Sequence, residues 1–304
     1  MDSPEHVVFV FLDGVGLGPA ATDNPLATSR EAFDRLAGGQ TWTQAAAPIF
    51  DAALTFRPID ATLGLAGLPQ SGTGQATLFT GVNCATLAGR HYGPFPHSKT
   101  RATLAEKNLF TRVQTTTGDP DAAAFANAYP QRFFDHVKRR GRWTVTTRCC
   151  LDANVSIRSR KDVLDGRALT ADLTGVGWHR IGHAIPPINE AEAGRRLGAL
   201  SRDYRLTLFE YFFTDKAGHG RIDTAPGEIL DRLDAFLHGL LEVLDADRDL
   251  LVVTSDHGNI EAAHTMHTRH PVPLVAHGAG ASHFAGAESI ADVTPAIVRA
   301  LGGA

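Results

Sequence analysis

The chain has 304 residues, of which 43% are hydrophobic and 20% charged, and its formal net charge is −4. Those values exclude a disordered or fibrous protein and leave ample apolar material for a core, at a length that suits two domains or one domain with a large insertion. The acidic balance argues against a nucleic acid or a membrane surface as partner, and three cysteines, two of them adjacent, make no disulfide framework and suit a reducing cytoplasm.

The first apolar run, residues 7–12, is too short to span a bilayer. It follows Asp2, Glu5 and His6 with no basic stretch ahead, so a buried β-strand is expected rather than a signal peptide or anchor. Residues 29–36 read as a helix. The turn signal Gly67-Leu68-Pro69 precedes Ser71, which stands just ahead of a second expected helix over 74–79. Further apolar runs at 206–213 and 250–254 are continuous rather than alternating, as in parallel strands covered by helices on both faces. Between them, Ile229, Leu233, Phe236, Leu237, Leu240, Leu241 and Leu244 recur at helical spacing and predict a helix from Glu228 to about Leu244. A strand over 272–276 and a closing helix over 290–301 complete the pattern.

The stretch 93–198 reads differently, with weaker strand signals and turn clusters such as Gly118-Asp119-Pro120. Residues 93–200 carry 17 Lys and Arg against 10 Asp and Glu, whereas the rest of the chain is acidic. The expected organisation is a catalytic core of residues 1–92 and 199–304 interrupted by a basic cap over 93–198. A basic lid suits an anionic substrate. Arg101, Arg112, Arg148, Arg158 and Arg160 are its candidate grips on phosphate or carboxylate, with none singled out.

Three apolar strands run into polar segments that contain Asp13, Asp215 and Asp256, and open α/β sheets bind ligands beyond their carboxyl ends. Ser255-Asp256-His257-Gly258-Asn259 sets a carboxylate and an imidazole side by side at one strand end. Asp215 and His219, four apart, can aim at one ion, and His267 lies in a histidine-rich run from His264 to His270. Mixed Asp and His donors suit manganese or zinc better than the all-oxygen preference of magnesium or calcium. Two such ions clamp a phosphoryl oxygen and activate a nucleophile. Ser71, with its hydroxyl at a helix N-terminus, supplies that nucleophile, and Thr73 is its rival.

In their order along the chain these motifs resemble the alkaline phosphatase superfamily of metalloenzymes, nearest to cofactor-independent phosphoglycerate mutase and phosphopentomutase. The matching segments are Asp13-Gly14-Val15-Gly16, Asn24 in Asp23-Asn24-Pro25, Ser71-x-x-Gly74, Asp215-x-x-Gly218-His219, Ser255 to Asn259, and His267-Thr268-Arg269 with Pro271-Val272-Pro273. The mutases have His where Gln75 stands.

The resemblance implies an α/β, alkaline-phosphatase-like three-layer sandwich with a mostly parallel central sheet and an inserted cap. It implies one metal ion held by Asp215, His219 and His267. A second is implied at Asp13, Asp256 and His257, with Ser71 bridging or completing that site. Manganese is expected first and zinc second. The implied reaction is phosphoryl transfer on a small phosphorylated metabolite through a phosphoserine at Ser71, as phosphatase or mutase. Phosphodiester or phosphonate cleavage, or a non-catalytic metal-binding relative, is the alternative. A dinucleotide fingerprint and a Walker A loop fail on glycine spacing and on the missing Gly-Lys-Ser/Thr.

Overall fold

The computed structural model describes residues 3–303. Seven strands form one sheet: β1 (His6–Leu12), β2 (Ile49–Phe50), β3 (Leu54–Ile59), β4 (Ala123–Phe125), β5 (Leu206–Tyr211), β6 (Asp249–Ser255) and β7 (Val272–Gly278). Their spatial order is β2-β3-β7-β6-β1-β5-β4. Strands β4, β5, β1 and β6 are parallel neighbours, and β7, β3 and β2 extend the sheet in antiparallel pairs. The expected architecture, a mostly parallel sheet between two helical layers, is the one observed.

The residues of β1 explain the layering. Val7, Phe9 and Phe11 face one core with Leu78, Phe79, Leu104, Phe110 and Ile297. Val8, Val10 and Leu12 face the other with Phe33, Leu197, Leu230 and Phe236. A strand with period-two geometry and apolar residues at every position must be covered on both sides. One layer contains the helices Ser71–Thr80, Leu109–Thr117 and Val145–Asp152; the other contains Glu31–Leu36, Glu190–Ser201 and Pro226–Leu241.

Register then places the site. Leu12 pairs with Tyr211 of β5 on one side and with Ser255 of β6 on the other. The chain therefore leaves all three strands at the same level, and Asp13, Asp215 and Asp256 emerge at one rim. The run expected as a strand over 206–213 stops at Tyr211. The short helix Phe213–Gly218 begins there and contains Asp215. Likewise the helix expected over 74–79 spans Ser71–Thr80, so Ser71 is its first residue. The closing helix resolves into a 3₁₀ turn, Ile290–Asp292, and the helix Val293–Ala300.

Packing divides the chain differently from the charge balance. Inside 93–198 the chain adds β4 to the sheet edge, and Leu104, Leu109, Phe110, Val113, Cys149 and Cys150 enter the core shared with β1. The helix Glu190–Ser201 crosses the expected boundary and packs in the opposite layer. A separate small cluster, Ala128, Ala168, Trp178 and Ile185, lies between β4 and that helix. Surface charge reports what faces water, whereas the core is written in alanines and small apolar residues such as 122–126, which carry little strand signal. Among the described residues no helix is long and apolar enough to cross a membrane.

Candidate active site

The loop after β1 turns at Gly14, whose φ of +75° and close approach to Asp215 Cβ both require a residue without a side chain. This brings Asp13 beside the Asp215 helix. The Ser71 helix approaches from the other layer. Gly74 makes that possible, because a Cβ there would stand 2.9 Å from the Asp256 carbonyl oxygen and 3.2 Å from Asp256 Cβ. The Ser71-x-x-Gly74 spacing thus seats the serine over the end of β6.

Six expected donors and the serine come together. Ser71 Oγ lies 3.0 Å from His257 Nε2. The same nitrogen is 3.3 Å from Asp13 Oδ1 and 3.6 Å from Asp256 Oδ2. Asp215 Oδ1 lies 3.2 Å from His219 Nε2 and 3.5 Å from His267 Nε2. Two groups have all donor atoms within 4.8 Å of one another: Asp215, His219 and His267, and Asp13, Asp215 and His257. Asp215 thus joins both, where the family resemblance implies Asp256 with Asp13 and His257.

The arrangement fits cations on its own chemistry. His267 Nδ1 is 2.7 Å from the Pro69 carbonyl and His219 Nδ1 is 2.6 Å from the Thr265 carbonyl. Carbonyl oxygens only accept, so both Nδ1 atoms carry hydrogen and, in the neutral rings, both Nε2 atoms present lone pairs. Those two nitrogens face each other at 3.0 Å. A cation between them turns a repulsion into two ligand bonds. Asp13 Oδ1 and Asp256 Oδ2 are buried without a hydrogen-bond partner, although buried carboxylate oxygens are ordinarily paired.

The electrostatics agree. Burial, then the carboxylates of Asp13 and Asp215, pushes Asp256 well above the usual carboxylate range. Burial also raises Asp215, but the adjacent His267 and His257 imidazoles and the Asn259 hydrogen bond outweigh it and hold that carboxyl below its usual range. Desolvation lowers His257, yet the adjacent Asp13 carboxylate, with the charge of Asp215, leaves it raised. Three buried carboxylates this close need positive charge.

Other motif residues have different places. Thr73 is fully buried; its hydroxyl receives the Tyr92 N–H at 3.0 Å, so it fixes the helix start and is no rival nucleophile. Gln75 reaches Asp13 Oδ2 at 3.5 Å. Asn24 accepts from Leu26 N and donates to the Pro19 carbonyl, and so shapes a turn. Arg158 is buried against the Tyr204 ring and Arg160 donates to the Ala184 carbonyl.

Two residues carry weight that sequence reasoning missed. Glu261 accepts from Gly16 N at 2.9 Å, Asn259 N at 2.8 Å and His270 Nδ1 at 3.1 Å, and from the Thr268 hydroxyl. One buried carboxylate thereby ties together the loops carrying Asp13, His257 and His267. Its place two residues after Ser255–Asn259 was the available signal. Glu210, on β5, is buried with Oε2 unpartnered, and burial followed by the Asp13 charge pushes it up to about 8. A charged residue inside an apolar run was its signal.

Residues 189–303, which include Asp215, His219, Asp256, His257 and His267, match the family model described as the Metalloenzyme superfamily. The chain is 35% identical over 111 residues to the 2,3-bisphosphoglycerate-independent phosphoglycerate mutase of Legionella pneumophila strain Corby, covering 34% of this chain and 21% of that one. The mutase of Serratia proteamaculans is 31% identical over 127 residues, covering 38% and 24%. The matched part is therefore about a fifth to a quarter of these relatives' length. In fold, the PH0037 protein from Pyrococcus horikoshii matches at a TM-score of 0.58 and 14% identity, over 99% of this chain and 98% of that one. Alkaline phosphatase from the Antarctic bacterium TAB5 matches at 0.52 and 13%, over 99% of both chains. Residues 189–303 thus match the Metalloenzyme superfamily and resemble part of phosphoglycerate mutase, and the chain as a whole shares the fold of alkaline phosphatase.

Proposed function

We propose that the protein is a metal-dependent enzyme that transfers or hydrolyses the phosphoryl group of a small phosphomonoester through a phosphoserine at Ser71. The observation that carries this reading is the seat of Ser71. Its hydroxyl lies 3.0 Å from His257 Nε2, at the first position of a ten-residue helix and beside both donor groups.

Asp215, His219 and His267 would hold one divalent ion, and Asp13, Asp256 and His257, with Ser71, the other. Asp215 is placed to serve both. The mixed nitrogen and oxygen donors favour manganese, with zinc second. When bound, two such ions supply the positive charge that favours an ionised serine and offsets the phosphoryl oxygens. The chain's own contribution is orientation. Among the described residues the N–H groups of Ser71 and Gly72 make no hydrogen bond, so the helix start offers two free donors to an anion. Ser71 Oγ forms the bond to phosphorus as the substrate's ester oxygen leaves with the serine proton. The phosphoserine then yields its phosphoryl group to water or to a second hydroxyl.

A panel of phosphorylated metabolites incubated with manganese, scored for free phosphate and for positional isomers, tests the reading. Free phosphate makes the protein a phosphatase and isomers make it a mutase. No product from any phosphomonoester with either manganese or zinc refutes the proposal.

A further inference from the structure

A cavity of about 560 Å³ opens beside Asp215. Its walls come from the helices Glu190–Ser201, Phe213–Gly218 and Pro226–Leu241, which lie in the layer opposite the Ser71 helix, and from the short helix Val176–Arg180. Phe213, two residues before Asp215, lines it. So does Arg221, whose Nη1 is 3.8 Å from Asp215 Oδ2, and the cavity therefore adjoins the candidate metal donors.

Three guanidinium groups and three carboxylates line the cavity, and their outside partners decide its sign. Arg232 is paired with Glu228 and Arg221 faces Asp215, both carboxylates beyond the cavity wall. Among the described residues Arg180 forms no ion pair, and neither do Asp172, Glu190 and Asp223. Asp172 instead accepts the N–H groups of Gly175 and Gly177, at 3.3 and 2.6 Å. Three carboxylates therefore face one unengaged guanidinium. An ion on Asp215 would release Arg221 and still leave the carboxylates in excess. Like charges gathered around a cavity are unfavourable until a counter-charge joins them.

A buried polar group points to the same ligand. Tyr211 is 2% exposed, and its hydroxyl makes no hydrogen bond among the described residues. Burial raises its pKa, and the charges that bear on it are those of Arg232, Asp172 and Glu190, all in the cavity wall. Its ring stacks beside Phe213, with 5.9 Å between centres. The phenol is thus an unpaired acceptor among carboxylates. Phe213 adds an aromatic wall of the kind that attracts ammonium, and the Lys216 ammonium already stands 4.7 Å from that ring.

Resting on the phosphoryl-transfer reading above, we propose that this cavity is an ammonium subsite, in which Glu190, Asp223 and the Tyr211 hydroxyl hold a protonated amine on the alcohol esterified to the phosphate. The substrate class narrows accordingly to phosphomonoesters of amino alcohols. A primary ammonium brings donors and a positive charge together, which suits two carboxylates and a hydroxyl, whereas a neutral alcohol leaves the carboxylates uncompensated.

The test compares short ω-aminoalkyl phosphates with their N-acetyl derivatives, which lose the charge, in the manganese-loaded enzyme. Wild-type protein is expected to prefer the amine by about tenfold or more in kcat/KM, chiefly through KM, at the chain length that reaches the cavity. In E190Q/D223N that ratio is expected to collapse towards one. Y211F, which deletes the hydroxyl alone, is expected to lower it by about threefold. In E106Q/D135N, which neutralises two exposed carboxylates outside the cavity, it is expected to persist. A preference absent at every chain length, retained in E190Q/D223N or lost equally in E106Q/D135N overturns the subsite. If E190Q/D223N fails to fold by circular dichroism, Y211F decides, and an unchanged ratio there overturns the subsite as well.

Turnover of 4-nitrophenyl phosphate reports the Ser71 reading independently. If wild type turns over no phosphomonoester at all, that reading fails, and the subsite is judged by calorimetric binding of the same pairs. Tighter binding of amine than of amide, abolished in E190Q/D223N, supports it, and equal binding of the two overturns it.

Discussion

The two donor groups differ in depth. His219 and His267 keep 15% and 8% of their side-chain surface open to solvent, and each ring is anchored by a backbone carbonyl. His257 and Asp256 are wholly enclosed, and their carboxylate partners are left with unmatched oxygens. The shallow group is a set of aimed lone pairs, whereas the deep group is stored negative charge. Donors held by backbone carbonyls stay in place when the ion leaves, so the shallow site should exchange metal readily. Donors that need the ion to offset their charge should bind it more tightly, and the fold around them should depend on it.

The strongest way to sharpen that contrast is at the proposed nucleophile, Ser71, which sits on the deep group. Ser71→Ala is expected to lower turnover by roughly a thousandfold or more while both metals remain, because the remaining donors are intact. Elemental analysis beside steady-state rates checks this. Undiminished turnover would remove the covalent step from the mechanism.

Depth itself is tested by paired variants. His219→Ala is expected to weaken one ion by roughly 10- to 100-fold with little change in thermal midpoint, since the opened space borders solvent. Asp256→Asn in the metal-loaded protein is expected to cost more metal affinity. In chelated protein the same change is expected to raise the thermal midpoint, because it removes a carboxyl that burial and the Asp13 and Asp215 charges force to hold a proton the unfolded chain releases. A lower midpoint for chelated Asp256→Asn would show that the deep group is not charge-strained.

How legible these features were depends on whether a residue's partners lie nearby in sequence. Of the six candidate donors, Asp13, Asp215, Asp256 and His257 could be read because they come just after apolar runs, and the parallel register of β5, β1 and β6 turns chain position into spatial position; His219 showed by its spacing from Asp215 and His267 by its histidine-rich run. Strand β3 hid because Arg57 and Pro58 interrupt its apolar pattern; it is completed by the antiparallel partner β7, where Pro58 faces Pro273. Strand β4 hid among alanines. The expected cap rests on charge, which marks the surface, while Leu104, Phe110 and Cys150 carry the chain into the common core. Glu261 hid because three of its four partners, Gly16, Thr268 and His270, come from more distant loops.

Glu261 also separates positioning from ligation. Glu261→Gln keeps the shape but replaces one accepting oxygen with a donor, which cannot satisfy Gly16 N, Asn259 N and Thr268 together. Both sites are expected to lose metal affinity in parallel, by about 10-fold each. Loss confined to one group, measured by metal titration, would show that the carboxylate does not couple the loops.

The smallest expected effect concerns Glu210, which lies behind the deep group. Burial and then the Asp13 charge raise its pKa from 4.5 to about 8. Between those values the unfolded chain has released this proton and the folded chain still holds it. Stability of the chelated protein therefore falls as pH rises from about 4.5 to 8, and this contribution levels off above that. The loss is on the order of 1–4 kcal/mol, allowing for relaxation around the buried group. Glu210→Gln carries no proton to lose, so its chelated form should show a flatter profile across that window, measured by denaturant unfolding at fixed pH steps. Adding metal should flatten the wild-type profile as well, because a cation beside Asp13 cancels the charge that helps keep Glu210 protonated. If the profile is unchanged in Glu210→Gln, the pH dependence belongs to Asp256, and the stored charge is confined to the donor group itself.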